Sequence, residues 1–383
     1  MFFKTIFTVL PFLFATLAML FFARGAVRSA RAKAVWAVVL FAGAAKFLFF
    51  ALLGGDAFAP ELPAPVIWAW NWVYSGVCIL CGLSVAMLPF RRLVKKALSR
   101  RAGRVAWLAG LPAIAWGAAA AGVWNGVKPP EVRTVELSFE NLPESLDGYR
   151  IVHITDVHAC AAAPRSRTEA IVERANALGA DLICLTGDYA DGLSSLQGAN
   201  IEPLAALRAK DGVLAVSGNH EYYFDTDGWF ALYRRLGIGL MENECVFPRE
   251  GLAVAGVPDS VCRFSGRPLP DPDAAVAPAT NGEFRILLQH RPFEDYRLLA
   301  GRGMEERFDL QLSGHTHGGV APGMAALVER FNDGMVRGVY RREDGRTVYV
   351  SGGSGQWAGF PIRFFNDPEI ALLILRKARP ARD

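Results

Sequence analysis

Four uncharged or nearly uncharged apolar stretches, each about 20 residues long, fill the first third of this 383-residue chain. They are Thr5–Ala23, Ala34–Gly54, Val66–Phe90 and Val105–Val127. Lys46 interrupts the second, and the other three carry no charge. A helix rises 1.5 Å per residue, so each stretch has the length to cross the hydrocarbon of a bilayer. The first alone invites a signal-peptide reading; buried core helices are the lesser alternative for all four, because soluble cores rarely string four such runs together. Three further runs behind the first, without a convincing small-residue cleavage site, favour a retained four-helix membrane region.

Composition sharpens this once the chain is cut in two. The whole carries a net charge of +4, is 52% hydrophobic and 20% charged, and has a mean hydropathy of +0.22. Residues 1–125 hold 13 Lys and Arg against 2 Asp and Glu, a net +11, and seven of the nine Trp. The remainder holds 28 against 35, a net −7. Disorder, collagen and a small disulfide scaffold are excluded.

The basic residues sit between the spans. Residues 24–33 carry Arg24, Arg28, Arg31 and Lys33, and residues 91–104 carry Arg91, Arg92, Lys95, Lys96, Arg100, Arg101 and Arg104. The connection 55–65 carries Asp56 and Glu61 and no basic residue. The positive-inside rule then places the first and third connections in the cytoplasm and everything after residue 127 outside. Trp68, Trp70, Trp72 and Trp124 fit an aromatic belt at the outer interface. Lys46, inside a span, is either a functional group or a bundle-facing lysine without chemistry. Cys78 and Cys81 have no further soft ligands beside them and read as packing residues.

Residues 128–148 form a stiff linker, Lys128-Pro129-Pro130, and a first strand; residues 149–383 read as an α/β domain. Strands are expected at Val132–Phe139, Arg150–Thr155, Asp181–Thr186, Val213–Ser217, Leu252–Val257, Phe284–Gln289, Asp309–Leu312, Thr347–Ser351 and Ile370–Leu375. Helices are expected at Arg167–Leu178, Ile201–Arg208, Thr226–Leu236 and Phe293–Ala300. Pro268–Ala279 reads as a surface loop, and the alternation indicates a layered α/β fold.

All six histidines lie in this second part. Five end an expected strand or begin the loop after it, within Asp156-Val157-His158, Gly218-Asn219-His220-Glu221, Gln289-His290 and Gly314-His315-Thr316-His317. Gly187-Asp188-Tyr189-Ala190-Asp191 follows another strand. Strand C-terminal ends are where α/β folds form crevices, so Asp, His and Asn side chains would meet at one rim. Imidazole with carboxylate suits Mn, Fe or Zn, and a carboxylate can bridge two ions. On an extended chain both members of an Asp-X-His point the same way and reach one metal; a turn at His315–His317 would split that pair between two. Glycines before Asp188, Asn219 and His315 permit sharp turns and close approach.

This order of motifs, DxH, GDxx[DR], GNH[DE], a later His and GHxH, resembles the calcineurin-like metallophosphoesterase superfamily over roughly residues 131–376. The segments 212–223, 313–319 and 362–370 look like its YkuE/YaeI branch, some members of which carry N-terminal membrane segments. Many members have Gln where this chain has Val320. The resemblance implies a four-layer sandwich, two mixed sheets flanked by helices, and two divalent metal ions. Asp156, His158 and His317 would hold one, Asn219, His290 and His315 the other, with Asp188 bridging and His220 acting on the leaving oxygen. It further implies hydrolysis of a phosphate ester by a metal-bridged hydroxide. Arg291 and Arg363 are weaker candidates for gripping phosphate, or else structural arginines. His153 is expected in the core or behind the ligands, and Asp191 orients a ligand or caps a turn. Cys245 and Cys262 could pair in an oxidising compartment.

The function expected is a membrane-anchored phosphoesterase acting outside the cytoplasm on diesters or pyrophosphate-linked, lipid-linked or envelope substrates. Two alternatives are an enzyme like the UDP-diacylglucosamine pyrophosphatases of lipid A synthesis and a non-catalytic metal-binding sensory module. The expected partners are the bilayer and a phosphoester. The net acidity of the second part argues against nucleic acid.

Overall fold

The protein is described from a computed structural model covering residues 2–280, 282–294, 308–343, 345–358 and 362–378. It divides into two compact units, Met1–Gly126 with Ala358–Arg363, and Val127–Trp357 with Phe364–Asp383.

Three helices of the first unit are long and apolar enough to cross a membrane: Thr8–Ala26, Ala64–Ala86 and Arg101–Val127. The helices Ala30–Ala44 and Lys46–Gly54 meet at 59° and give a fourth span if the bent pair crosses as one. The break falls beside Lys46, the charge that interrupts this stretch. The Lys46 side chain is fully buried, and its Nζ donates to Asn71 Oδ1 and to the Ala358 carbonyl, both at 3.1 Å. The rings of Phe47 and Tyr74 lie 4.1 and 4.7 Å from that nitrogen. This is a bundle-facing lysine satisfied by neutral acceptors and aromatic faces. Phe22, Leu40, Val77, Leu80 and Ala115 form the bundle core. A Cβ on Gly76 would strike the Trp116 indole, so a small residue is what lets these two helices close up. The third apolar stretch stops being α-helical at Ala86, and a short basic helix, Arg91–Ser99, follows.

The second unit is two sheets packed face to face. β1 (Glu131–Phe139), β2 (Arg150–Ile154), β3 (Leu182–Thr186), β4 (Val213–Val216) and β11 (Glu369–Lys377) form one sheet, ordered β1-β11-β2-β3-β4. β5 (Glu244–Arg249), β6 (Leu252–Gly256), β7 (Phe284–Leu288), β8 (Leu310–Ser313), β9 (Gly338–Arg341) and β10 (Thr347–Val350) form the other, ordered β5-β6-β7-β8-β10-β9. Both sheets are mixed: β2, β3 and β4 run parallel, as do β6, β7, β8 and β10, while β11 is antiparallel to β2 and β9 to β10.

The period of two along the strands builds the layers. Ile151, Leu182, Cys184 and Val216 face inward onto Val254, Ile286, Leu288, Leu310 and Leu312 of the other sheet. Their neighbours Val152, Ile154, Ile183 and Leu185 face outward onto Ile171, Ala175, Ile201, Trp229 and Tyr233. Those residues belong to the helices Arg165–Ala177, Ser194–Ile201 and Thr226–Arg235. Strands buried on both faces read as continuous apolar runs, which is why β3 has no polar alternation.

Every expected strand is present within two residues at either end. β5 and β9 were not expected: they are the partly exposed outer strands of their sheet, and β5 carries Pro248 and a register shift. The helix expected at Ile201–Arg208 is displaced: the α-helix is Ser194–Ile201, and Glu202–Ala206, with Pro203 in its first turn, is a 3-10 turn. The stretch 268–279, expected as loop, contains a helix, Pro272–Val276, capped by the Asp271 side chain. A helix at Pro322–Phe331 was also not expected. Of the helix expected at Phe293–Ala300, residues 295–300 lie outside the described residues. All six cysteines are free, Cys245 and Cys262 included, and the Cys262 thiol sits 3.2 Å from the Pro268 carbonyl.

Candidate metal centre

The parallel sets β2-β3-β4 and β7-β8 end at one edge of the two sheets, and the loops leaving them interlock. Asp156 N–H donates to the Gly187 carbonyl at 3.0 Å, and His158 N–H to the Asp188 carbonyl at 3.0 Å. His220 N–H donates to Asp188 Oδ1 at 2.8 Å. His315 N–H, from the other sheet, donates to Asp156 Oδ2 at 3.0 Å. Close approach is possible because a Cβ on Gly218 would overlap the Asp188 carboxylate and one on Gly314 would overlap that of Asp156.

The backbone here is not extended. Asp156, His158, Asp188, His315 and His317 all have left-handed φ, between 47° and 70°. The common direction of Asp156 and His158 therefore comes from strained turns and not from strand alternation. Left-handed non-glycine residues cost of order 1–3 kcal/mol each and collect at functional sites, with Asp and His among the more tolerant. His317 gathers with Asp156 and His158, whereas His315 gathers with Asp188 and His290; within each group the ligating atoms lie within 4.8 Å of one another.

The donor atoms are arranged for cations. His290 Nδ1 donates to the Thr186 carbonyl at 2.6 Å, which aims its Nε2 at Asp188 Oδ2, 3.2 Å away. His158 Nδ1 donates to Asp191 Oδ1 at 3.2 Å, so its Nε2 presents a lone pair to His317 Nε2 at 3.1 Å. Asn219 Oδ1 is buried and meets no donor among the described residues. Ring nitrogens and carboxylates crowded at these distances need positive charge among them, from protons or from a metal ion.

Charge balance points the same way. Burial pushes the Asp156 carboxyl up from its ordinary range. Burial also opposes ionisation of Asp188, but His290 and His220 outweigh it and hold that carboxyl well below the ordinary range. In return, and against their own burial, His290 is raised to about 10 and His220 to about 9, chiefly by Asp188. His315 is held neutral by burial, with Arg291 and His290 adding to the effect. Asp191 is buried yet lowered to about 2 by His158 and His220, and its Oδ1 accepts from the Nδ1 of both. It holds the rings of the candidate ligand His158 and of His220.

His220 is nearly buried, and the rings of Tyr223 and Trp357 lie 5.1 and 5.5 Å from its own. The Arg291 guanidinium is taken up by Asp259 Oδ2 at 2.8 Å and Glu294 Oε1 at 3.3 Å. Arg363 is fully buried and belongs to the segment grouped with the helical unit. His153 is buried in β2, with Nε2 on Thr186 Oγ1 at 2.7 Å, behind the carbonyl that holds His290.

Two residues without an expected role buttress the site. The buried Glu221 carboxylate accepts from the N–H groups of Gly218, Asp188 and Tyr189 at 2.7, 2.9 and 2.8 Å, tying two ligand loops together. It stands in the same Gly-Asn-His-Glu segment as His220, which was its only sequence signal. Asn366 donates through Nδ2 to the His317 carbonyl, a contact from a distant segment with no local signature.

Residues 149–319 match the family model described as calcineurin-like phosphoesterase. A transmembrane protein with metallophosphoesterase domain from Danio rerio is 33% identical over 269 residues, covering 67% of this chain and 60% of the relative. An uncharacterized metallophosphoesterase of Helicobacter pylori is 30% identical over 254 residues, 66% of each chain. The Bacillus subtilis metallophosphoesterase YkuE is 29% identical over 285 residues, 69% of this chain and 94% of its own. The chain thus spans about 60% of the length of the vertebrate relatives it matches.

Proposed function

Because residues 149–319 belong to the calcineurin-like phosphoesterase family, we propose that this chain is a membrane-anchored phosphoesterase whose site holds two divalent metals. The observation that carries the reading is the convergence of ligand-type atoms from both sheets, Asp156, His158 and His317 in one group and Asp188, His290 and His315 in another, each within 4.8 Å. Asp156, His158 and His317 would hold one ion and Asn219, His290 and His315 the other, with Asp188 placed to serve both. Bound there, divalent ions lower the pKa of water and offset the charge of a phosphoester.

The chain's own groups do the rest. Asp191 fixes the Nδ1 proton of His220, leaving Nε2 to protonate the departing oxygen. Tyr223 and Trp357 flank that histidine and limit water around the leaving group. Glu221 holds the Asp188 and Asn219 loops in register.

The helical region 1–127 is the anchor, with residues 128–148 as connection and 149–383 as catalytic domain. The basic connections lie in the cytoplasm and the catalytic domain outside it, facing diesters or pyrophosphates of lipid-linked or envelope molecules. Mn, Fe and Zn all suit the donor set.

The test uses the purified full chain. Metal content is measured alongside hydrolysis of a simple phosphodiester, a monoester and a lipid pyrophosphate, with Asp188→Asn as blank. Two bound metals and no hydrolysis of any of the three would overturn the enzymatic reading in favour of a binding module. Reporters fused after residue 127 test the side; a cytoplasmic signal would reverse the topology and favour a nucleotide-linked lipid substrate.

A further inference from the structure

Phe365 adds almost nothing to the core. It is 95% exposed, and its φ of 56° is left-handed, a conformation an aromatic residue rarely adopts. Both neighbours enforce it. Phe364 N–H donates to the Val320 carbonyl at 2.8 Å, and the Asn366 side chain donates to the His317 carbonyl. The two anchors grip the His317–Val320 turn, which carries one of the candidate ligands, and thrust the ring between them outward. A large apolar side chain held out at a strained position beside a reactive site calls for a partner.

Chain connectivity names that partner. The last apolar helix ends at Val127 and β1 begins at Glu131, so three residues, at most about 11 Å of chain, separate them. The segment Ala358–Arg363 groups with the apolar helices, and Phe364 is the next residue. Phe365 is thus two residues along the chain from a segment that packs with the candidate spans. Beyond Val320, the helix Pro322–Phe331 presents Leu327 and Phe331, 54% and 70% exposed and four positions apart on one face.

We propose that Phe365 inserts into the bilayer surface at the rim of the metal centre and that the site draws phosphoesters carrying a lipid chain directly from that surface. The proposal rests on the phosphoesterase reading and names its substrate class. An aromatic ring at the headgroup boundary is favourably placed there, and a substrate whose tail remains in the membrane would meet the site without leaving it.

The test has two arms on the full chain reconstituted in vesicles of phosphatidylethanolamine and phosphatidylglycerol. In the first, Phe365→p-benzoylphenylalanine is photoactivated, with Leu52, exposed on a candidate span, and Phe264, exposed in the catalytic unit, replaced likewise as references. Lipid adducts at positions 365 and 52 but not at 264 are expected. Adducts at 52 without any at 365 would overturn insertion.

In the second arm, hexadecyl 4-nitrophenyl phosphate in the vesicles is compared with ethyl 4-nitrophenyl phosphate in solution. In both, water adds to phosphorus and the P–O bond to nitrophenol breaks, leaving the alkyl phosphate. Phe365→Ser should slow the hexadecyl ester roughly tenfold or more, the scale of losing one buried Phe ring. It should leave the ethyl ester within about twofold, and Phe365→Trp should restore the difference. An equal fall on both esters would overturn the access role. Failure of the metal-loaded wild type on both would instead sink the phosphoesterase reading and the substrate class with it, while the adducts still decide insertion.

Discussion

The Nε2 atoms of His158 and His317 stand 3.1 Å apart although 159 positions separate the two residues. Neither ring is free to turn away. Asp191 holds the opposite edge of His158, and the turn carrying His317 is gripped at its carbonyl by Asn366. Asp156 Oδ1 lies 3.4 Å from the same His317 nitrogen. Three ligand-type atoms converging on one space are what a cation site needs before the cation arrives. The left-handed backbone at Asp156, His158 and His317 is how the chain holds that arrangement.

Asp188 is the group whose loss reaches furthest. Its Oδ2 faces His290 at 3.2 Å, His158 at 3.7 Å and His220 at 3.9 Å, and its Oδ1 accepts the His220 N–H. Asp188→Asn keeps the shape and the backbone bond but removes the charge. Metal content by elemental analysis should fall by more than the ~10–100-fold in affinity that follows loss of a group merely supporting a ligand. Nearly all hydrolysis should go with it. Full metal occupancy in this variant would show that the carboxylate is not shared.

His220 should separate metal binding from proton transfer. His220→Ala is expected to retain metal and lose roughly 10²–10⁴ in rate on an ester with a poor leaving group. With 4-nitrophenol, which departs without a proton, the loss should shrink. Equal losses on the two esters would assign His220 to positioning and not to acid catalysis. Asp191→Asn, which disturbs the Nδ1 partner of both His158 and His220, should cost metal affinity and rate together.

How much of this was legible in the sequence follows from what kind of signal each part leaves. Central strands such as β3 are short apolar runs between turn residues, so position alone gathered Asp156, Asp188, Asn219, His290 and His315 at one rim, while their separate roles came from the resemblance of the motif order. β5 and β9 leave no such trace: on an outer edge, one face wet and the other half-covered, polar and apolar residues do not alternate. The strained φ values were invisible because Asp and His give no warning of left-handed backbone, as a glycine would. Asn366 was invisible because its partner, the His317 carbonyl, is 49 positions away. The bent span was half-visible, since Lys46 marked the place but not the 59° turn.

The buried His153 should make the fold acid-sensitive independently of catalysis. Burial lowers its pKa to about 3, against about 6.5 in an unfolded chain. The folded state therefore binds fewer protons than the unfolded state between these values. Its contribution is whole above pH 6.5 and is lost as pH falls toward 3, at about 1.4 kcal/mol per pH unit. From pH 6.5 to pH 5 this amounts to about 2 kcal/mol. His153→Gln, which can still hydrogen-bond Thr186, should flatten the dependence of thermal unfolding on pH in that window. An unchanged slope would place the acid sensitivity in other groups.

Chelation tests the centre without altering a residue. Asp156 and Asp188 are buried carboxylates in a crowded cluster with His158, His317 and His290, so removing cations leaves buried charge that folding must carry. A ligand present at 100 times its dissociation constant stabilises the folded state by about 2.7 kcal/mol. For a unit of this size that corresponds to a midpoint shift of about 5–10 °C. Chelator should lower the unfolding midpoint of the wild type by that order, and Mn²⁺ or Zn²⁺ should restore both midpoint and hydrolysis. Asp188→Asn should start low and respond little to either treatment. A wild type whose midpoint ignores chelator and added metal alike would mean that the converging acceptors are balanced by protons on His290 and His220, and that the centre is not a metal site.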